Sequence, residues 1–112
     1  MTLPGSENAV VDVAKLRDYC LNRLHPRGRH KARVFVSSLG LAQTDADFLR
    51  NELLRAAREG EAMKGESDEY GDRYTIDFML AHRDRWGTIR SSWIVRRGEQ
   101  VPRLTSCYVL LD

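Results

Sequence analysis

The sequence predicts an α+β fold in which three N-terminal helices are followed by an antiparallel meander sheet of three to four strands. Three observations carry that expectation. Up to Gly60 the apolar residues recur at helical spacing, and from Tyr74 onward they alternate with polar residues. The alternating segments are separated by short polar connections, which suit hairpins and leave no room for helical crossovers. At 112 residues, with 42% hydrophobic and 30% charged side chains, the chain is long enough for one core and reads as a single domain over residues 1–112.

Met1 to Val11 contains Pro4 and Gly5, has no period, and reads as a loose lead-in or a short edge strand. Asp12 is placed to cap a first helix from Val13 to Leu21, whose stripe is Val13, Leu16, Cys20 and Leu21. Asn22 to Gly28 is a connector, because His25 precedes a proline and Gly28 offers the freedom of a tight turn. Ala32, Phe35, Val36 and Leu39 fall at i, i+3, i+4 and i+7, and Gly40 stands where that second helix ends. Ala32 and Phe35 then face inward, His30 and Arg33 flank them, and Lys31 lies near the first turn. Thr44-Asp45-Ala46-Asp47 opens a third helix with a capping side chain; Leu49, Leu53, Ala56 and Ala57 form its buried stripe, and Gly60 ends it.

Glu61 to Asp72, with two glycines and several acids, reads as a solvated loop. Tyr74, Ile76, Phe78 and Leu80 define the next strand and, after a turn at Arg83 to Gly87, Ile89, Ser91, Trp93 and Val95 define another. Arg97 to Gln100 is a second turn, and Leu104 to Leu110 is the third strand. A fourth is expected either from Asn8 to Val11 or from the loop before Arg73.

No apolar run approaches the roughly 20 residues that span a bilayer, and Met1 to Asn8 lacks the basic and apolar regions of a secretion signal, so no membrane contact and a cytoplasmic location are the expectation. Cys20 and Cys107 sit inside apolar patterns and are expected as buried free thiols rather than a disulfide. The net charge of +2 says little, but its distribution says more. Arg23, Arg27, Arg29, Lys31 and Arg33 cluster with two histidines and no acid, whereas Asp45 to Asp77 is acidic. Such a patch attracts phosphate over about 8–10 Å at physiological salt.

Dinucleotide, P-loop, zinc-hydrolase and nucleophile-elbow motifs are missing, as is any paired-cysteine motif, and no carboxylate stands at helical ligand spacing from a histidine. Neither a metal nor a cofactor is expected. The residues that remain suit metal-free phosphodiester cleavage. Splitting RNA through its own 2′-hydroxyl needs a base, an acid and a cation on the phosphorane. His25 and His30 fit the proton roles; Lys31 and Arg29 supply charge at a helix start, where backbone N–H groups also favour phosphate. Basic residues there oppose the helix dipole, which hints at a ligand, although a solvated basic surface needs no ligand at all. Arg90, Ser91, Ser92, Thr105, Ser106 and Tyr108 place hydroxyls and a guanidinium on two adjacent strands. Trp93 is assigned to the core and His82 to the surface, and Trp86 lies in a turn where it is free to stack on a base.

Leu24-His25-Pro26-Arg27-Gly28-Arg29-His30-Lys31-Ala32-Arg33-Val34-Phe35, Thr88-Ile89-Arg90-Ser91-Ser92-Trp93-Ile94 and Pro102-Arg103-Leu104-Thr105-Ser106-Cys107-Tyr108-Val109 resemble the signatures of a small bacterial domain family of unknown function. The resemblance spans about Asn8 to Leu110. That family occurs as stand-alone proteins and as the last domain of polymorphic toxins, and its layout is similar to metal-independent ribonuclease toxins of the barnase, EndoU, colicin and RelE type. Its usual Asn-Pro before the His-Pro pair is Arg23-Leu24 here. The resemblance implies a toxin-like endoribonuclease with an antitoxin or immunity protein as partner and RNA as substrate. His25 or His30 is then general base or acid, Lys31 and Arg90 clamp the phosphate, and Ser91, Ser106 and Tyr108 position it. Arg27, Arg29, Arg33 and Arg103 are the further phosphate or RNA contacts. The alternative is a non-enzymatic module whose basic turn docks an acidic protein or an RNA backbone.

Overall fold

A computed structural model describes residues 1–111. The Asp12 carboxylate accepts from the Ala14 amide at 2.9 Å and starts helix α1, Val13–Lys15. That helix widens into a π-helical turn, Leu16–Cys20, closed by the Leu21 amide on the Leu16 carbonyl at 2.8 Å. The first helix thus keeps its expected place but not its regular winding; the wider turn brings both Leu16 and Cys20 to full burial. Helix α2, Arg29–Leu39, ends as expected at Gly40, whose φ of 66° is the left-handed cap that glycine adopts without penalty. Helix α3 runs Ala46–Glu59 after a 3₁₀ turn, Gln43–Asp45. Its expected side-chain cap is absent: the Asp45 carboxylate instead accepts from the Ala42 amide at 2.9 Å, tightening the 3₁₀ turn.

The sheet has four antiparallel strands in sequential order: β1 Ala62–Ser67, β2 Gly71–His82, β3 Arg85–Arg96 and β4 Pro102–Leu110. Strand β1 replaces the loop expected at Glu61 to Asp72. Five of its six residues are exposed, so it carries no alternation to read, and pairing with β2 holds it there. The turn between β2 and β3 is shorter than expected, only Arg83 and Asp84, because His82 still pairs with Arg85. β4 starts at Pro102 rather than Leu104. The lead-in is not loose. Leu3 and Val11 are buried, the Met1 carbonyl accepts from the Ala62 amide at 2.8 Å, and Val10 bridges β4 in parallel at Arg103.

Pairing partners share a face of the sheet, so the register sorts its residues. Ile76, Leu80, Ile89, Trp93, Cys107 and Val109 point into the core with Phe35, Leu39, Leu49 and Leu53 from the helices. The opposite, open face carries the rows Asp77–Arg90–Tyr108 and Thr75–Ser92–Ser106. Trp93 is 1% exposed, a core residue as expected. His82 is half-buried rather than on the surface, its Nδ1 lying 2.7 Å from the Leu39 carbonyl at the end of α2. Cys20 and Cys107 are both buried and free. Among the described residues no helix is long and apolar enough to cross a membrane.

Candidate functional site

A cleft of about 550 Å³ opens where the π-helical turn, the start of α2 and the edge strand β4 meet, bounded by Tyr19, His25, Lys31 and Ser106 and, at its rim, by Lys15 and two carboxylates, Asp12, which caps α1, and Asp18, which is paired with Arg17. Lys31 leaves α2 beside the inward-facing Ala32 and reaches across this seam. Its Nζ donates to Ser106 Oγ at 3.2 Å and more weakly to Tyr19 Oη at 3.4 Å. It also lies 5.2 Å from the Tyr19 ring centroid and 5.9 Å from that of Tyr108, within the range where an aromatic face attracts a cation. No carboxylate forms a salt bridge with Lys31 among the described residues. A half-buried ammonium held by neutral groups has no paired counter-charge and is open to an anion. Another hollow, of about 510 Å³ near Gly5, is lined by Glu7, Asp72 and Glu99 and has no cation in its lining.

His25 has a defined orientation. Its Nδ1 accepts from the amides of Arg27 at 3.0 Å and Gly28 at 3.1 Å, and its ring stands edge-on to Tyr19 at 4.8 Å. With Nδ1 an acceptor, the neutral ring carries its proton on Nε2 and enters the cleft as a donor. Taking up a proton on Nδ1 would break both backbone bonds. Gly28, behind this turn, has an ordinary φ of −89°; it is needed for close approach rather than for conformational freedom, because a Cβ there would overlap the Tyr19 carbonyl.

Arg90 is paired with Tyr108 in register and held by Asp77 through two hydrogen bonds, Nε to Oδ1 and Nη2 to Oδ2, both 2.8 Å. The hydrogen bonding and charge of Arg90 hold the Asp77 carboxyl below its usual range, and Asp77 in turn raises Arg90. Cys20 and Cys107 lie behind the cleft. A hydrogen bond between the two thiols lowers Cys20 and, together with burial, raises Cys107. They follow Tyr19 and Ser106 in the chain and root both walls of the cleft in the core.

The structure therefore brings together His25, Lys31, Ser106 and Tyr108, with Arg90 adjoining Tyr108. It separates the others. Ser91 is fully buried on the core face, donating to the Ile76 carbonyl at 2.8 Å and accepting from Trp93 Nε1 at 2.9 Å. His30, Arg27 and Arg29 are exposed outside the cleft, and Arg33 lines a separate hollow with Arg23 and Gln43. Arg103 lies on the open face but is paired with Glu99 at 3.2 Å. Tyr19 and Asp77 join the site without having been singled out in the sequence. Tyr19 falls off the apolar stripe of its helix, and only the true hairpin register sets Asp77 opposite Arg90. No group of three or more histidine, cysteine or acidic side chains arranged to hold a metal ion occurs among the described residues.

A family model described as Domain of unknown function (DUF6883) matches residues 2–111. No curated protein and no solved structure matches the chain.

Proposed function

The chain belongs to that family, and from this premise we propose that it is a toxin-like domain that binds RNA at the Lys31 cleft and cleaves it without metal. One observation carries the proposal: an unneutralised ammonium lies between Tyr19, Ser106 and Tyr108 in an open cleft. In this reading Lys31 takes the scissile phosphate and stabilises the phosphorane, the Nε2–H of His25 and the Ser106 hydroxyl orient its free oxygens, and Arg90 adds charge from the next row of the sheet. The phenols of Tyr19 and Tyr108, beside the ammonium, are the groups left to exchange protons with the 2′-hydroxyl and the leaving oxygen. His30 has no part. An antitoxin or immunity partner would then neutralise the domain by bringing carboxylates to Lys31 and Arg90.

Incubating the purified protein with total RNA in chelator tests this reading. Cleavage is expected, reduced at least about 10²-fold by Lys31→Ala and Tyr108→Phe and unchanged by His30→Ala. Intact RNA across all substrates, or full activity in Lys31→Ala, sinks it. The orientation of His25 favours a second reading, in which the domain only binds, because Nδ1, the ring nitrogen with the free lone pair, is already engaged by two backbone amides. That reading predicts salt-sensitive RNA binding with no cleavage.

A further inference from the structure

The open face of the sheet continues past Arg90 toward the β2–β3 turn, and its character changes there. Along β3, Trp86, Thr88 and Arg90 alternate onto this face; the partners of the first two are Ala81 and Met79 on β2, and Leu110 pairs with Thr88 from β4. Trp86 is 68% exposed and Met79 58%, so neither contributes much to the core. A large indole left open on a sheet face, beside a flat apolar shoulder, is spare binding surface. Its neighbours favour a nucleic acid as the occupant. Arg83 and Arg85 are exposed on either side of the one acid of the adjoining turn, Asp84, and Asp77, opposite Arg90 on this face, is neutralised by it. Trp86 and Arg90 are four residues apart on one strand, about 13 Å, which leaves room for about two nucleotides between a base on the indole and a phosphate at Arg90.

We infer that Trp86 is the stacking platform for an unpaired base of the bound RNA, and that the domain therefore takes single-stranded rather than duplex RNA. A duplex turns its base faces inward against one another and offers the indole only edges and backbone. A single strand offers a π-face at every step and pairs aromatic stacking with cationic contacts, the combination laid out from Trp86 to Lys31. The inference rests on the reading of the Lys31 cleft as a phosphate site and specifies what that site accepts.

Binding is measured without turnover by titrating the full chain in chelator with an eight-nucleotide 2′-O-methyl oligoadenylate, which lacks the hydroxyl that cleavage requires. Trp93 is buried, so the responding fluorescence is that of Trp86. Saturable quenching by the single strand is expected, with little from the same sequence as a duplex. Trp86→Ala is expected to weaken binding about 5- to 100-fold with an unchanged melting temperature, and Trp86→Phe to retain most of the affinity. Equal binding by Trp86→Ala, equal quenching by duplex, or no binding of either overturns the inference. Quenching without any cleavage of natural RNA by the wild type supports stacking while removing the catalytic half of the proposed function. Cleavage without quenching does the reverse.

Discussion

His25 shows how one side chain divides between structure and chemistry. Its Nδ1 closes the turn before α2 by accepting from two amides, a task that an asparagine oxygen performs in similar turns. His25→Ala is therefore expected to cost about 1–2 kcal/mol in a urea titration, and His25→Asn much less. Both remove the Nε2 donor, so under the proposed function both slow RNA cleavage, and comparing the two variants separates the roles. Gly28 next to it admits no side chain, because a Cβ meets the Tyr19 carbonyl. Gly28→Ala is expected to cost about 1–3 kcal/mol by overpacking, read from the same titration. The His-Pro-Arg-Gly-Arg-His-Lys stretch was legible in the sequence as a place where function gathers. Which residues face the cleft was not: the histidine nearer the helix start turns outward, while Lys31 crosses the seam to Ser106.

At the scale of elements, the β2–β3 hairpin decides which residues meet. Sequence alternation located both strands, yet Arg85, Trp86 and Gly87 carry polar and small character that reads as turn, although they pair with β2. Shortening the turn to two residues moves the register and sets Asp77 opposite Arg90. That turn holds Arg83 at φ 58°, the left-handed region that a side chain occupies at a cost. Arg83→Gly is expected to raise stability by about 0.5–1 kcal/mol, since relief of that conformation exceeds the added chain entropy of glycine. Calorimetry checks it. Strand β1, at one of the two places offered for a fourth strand, read as loop for a different reason: with five of its six residues exposed, it has no burial pattern to imprint on the sequence, and only hydrogen bonding to β2 makes it a strand.

For the molecule as a whole, arginine pairs and turn hydrogen bonds set the response to acid. Asp77 and Glu99 are held below their usual values first by the hydrogen bonds of Arg90 and Arg103, Asp72 first by Ser67, and Asp68 first by the Tyr70 amide. A carboxylate whose folded value lies below its unfolded one stabilises the fold above the unfolded value, and that stability is lost as pH falls through the folded one. The melting temperature is therefore expected to decline as pH drops below the ordinary aspartate value of 3.8, and Asp77→Asn to shallow the decline. These groups are half-buried at the surface and still in contact with water, so each effect is small and screened by salt. The overall arrangement of helices and then sheet was readable because both periods are strong. The path of the first eleven residues was not, because their partners lie far along the chain. Met1 pairs with Ala62 at one edge of the sheet, and Val10 with Pro102 and Leu104 at the other, with Leu3 and Val11 buried between them. This ordering bears on synthesis: that segment leaves the ribosome well before its docking partner β4, so Leu3 and Val11 stay exposed to chaperones and proteases until β4 has emerged. The segment then closes over an almost finished fold, and Leu3→Ala is expected to speed unfolding while leaving the refolding rate nearly unchanged in stopped-flow measurements.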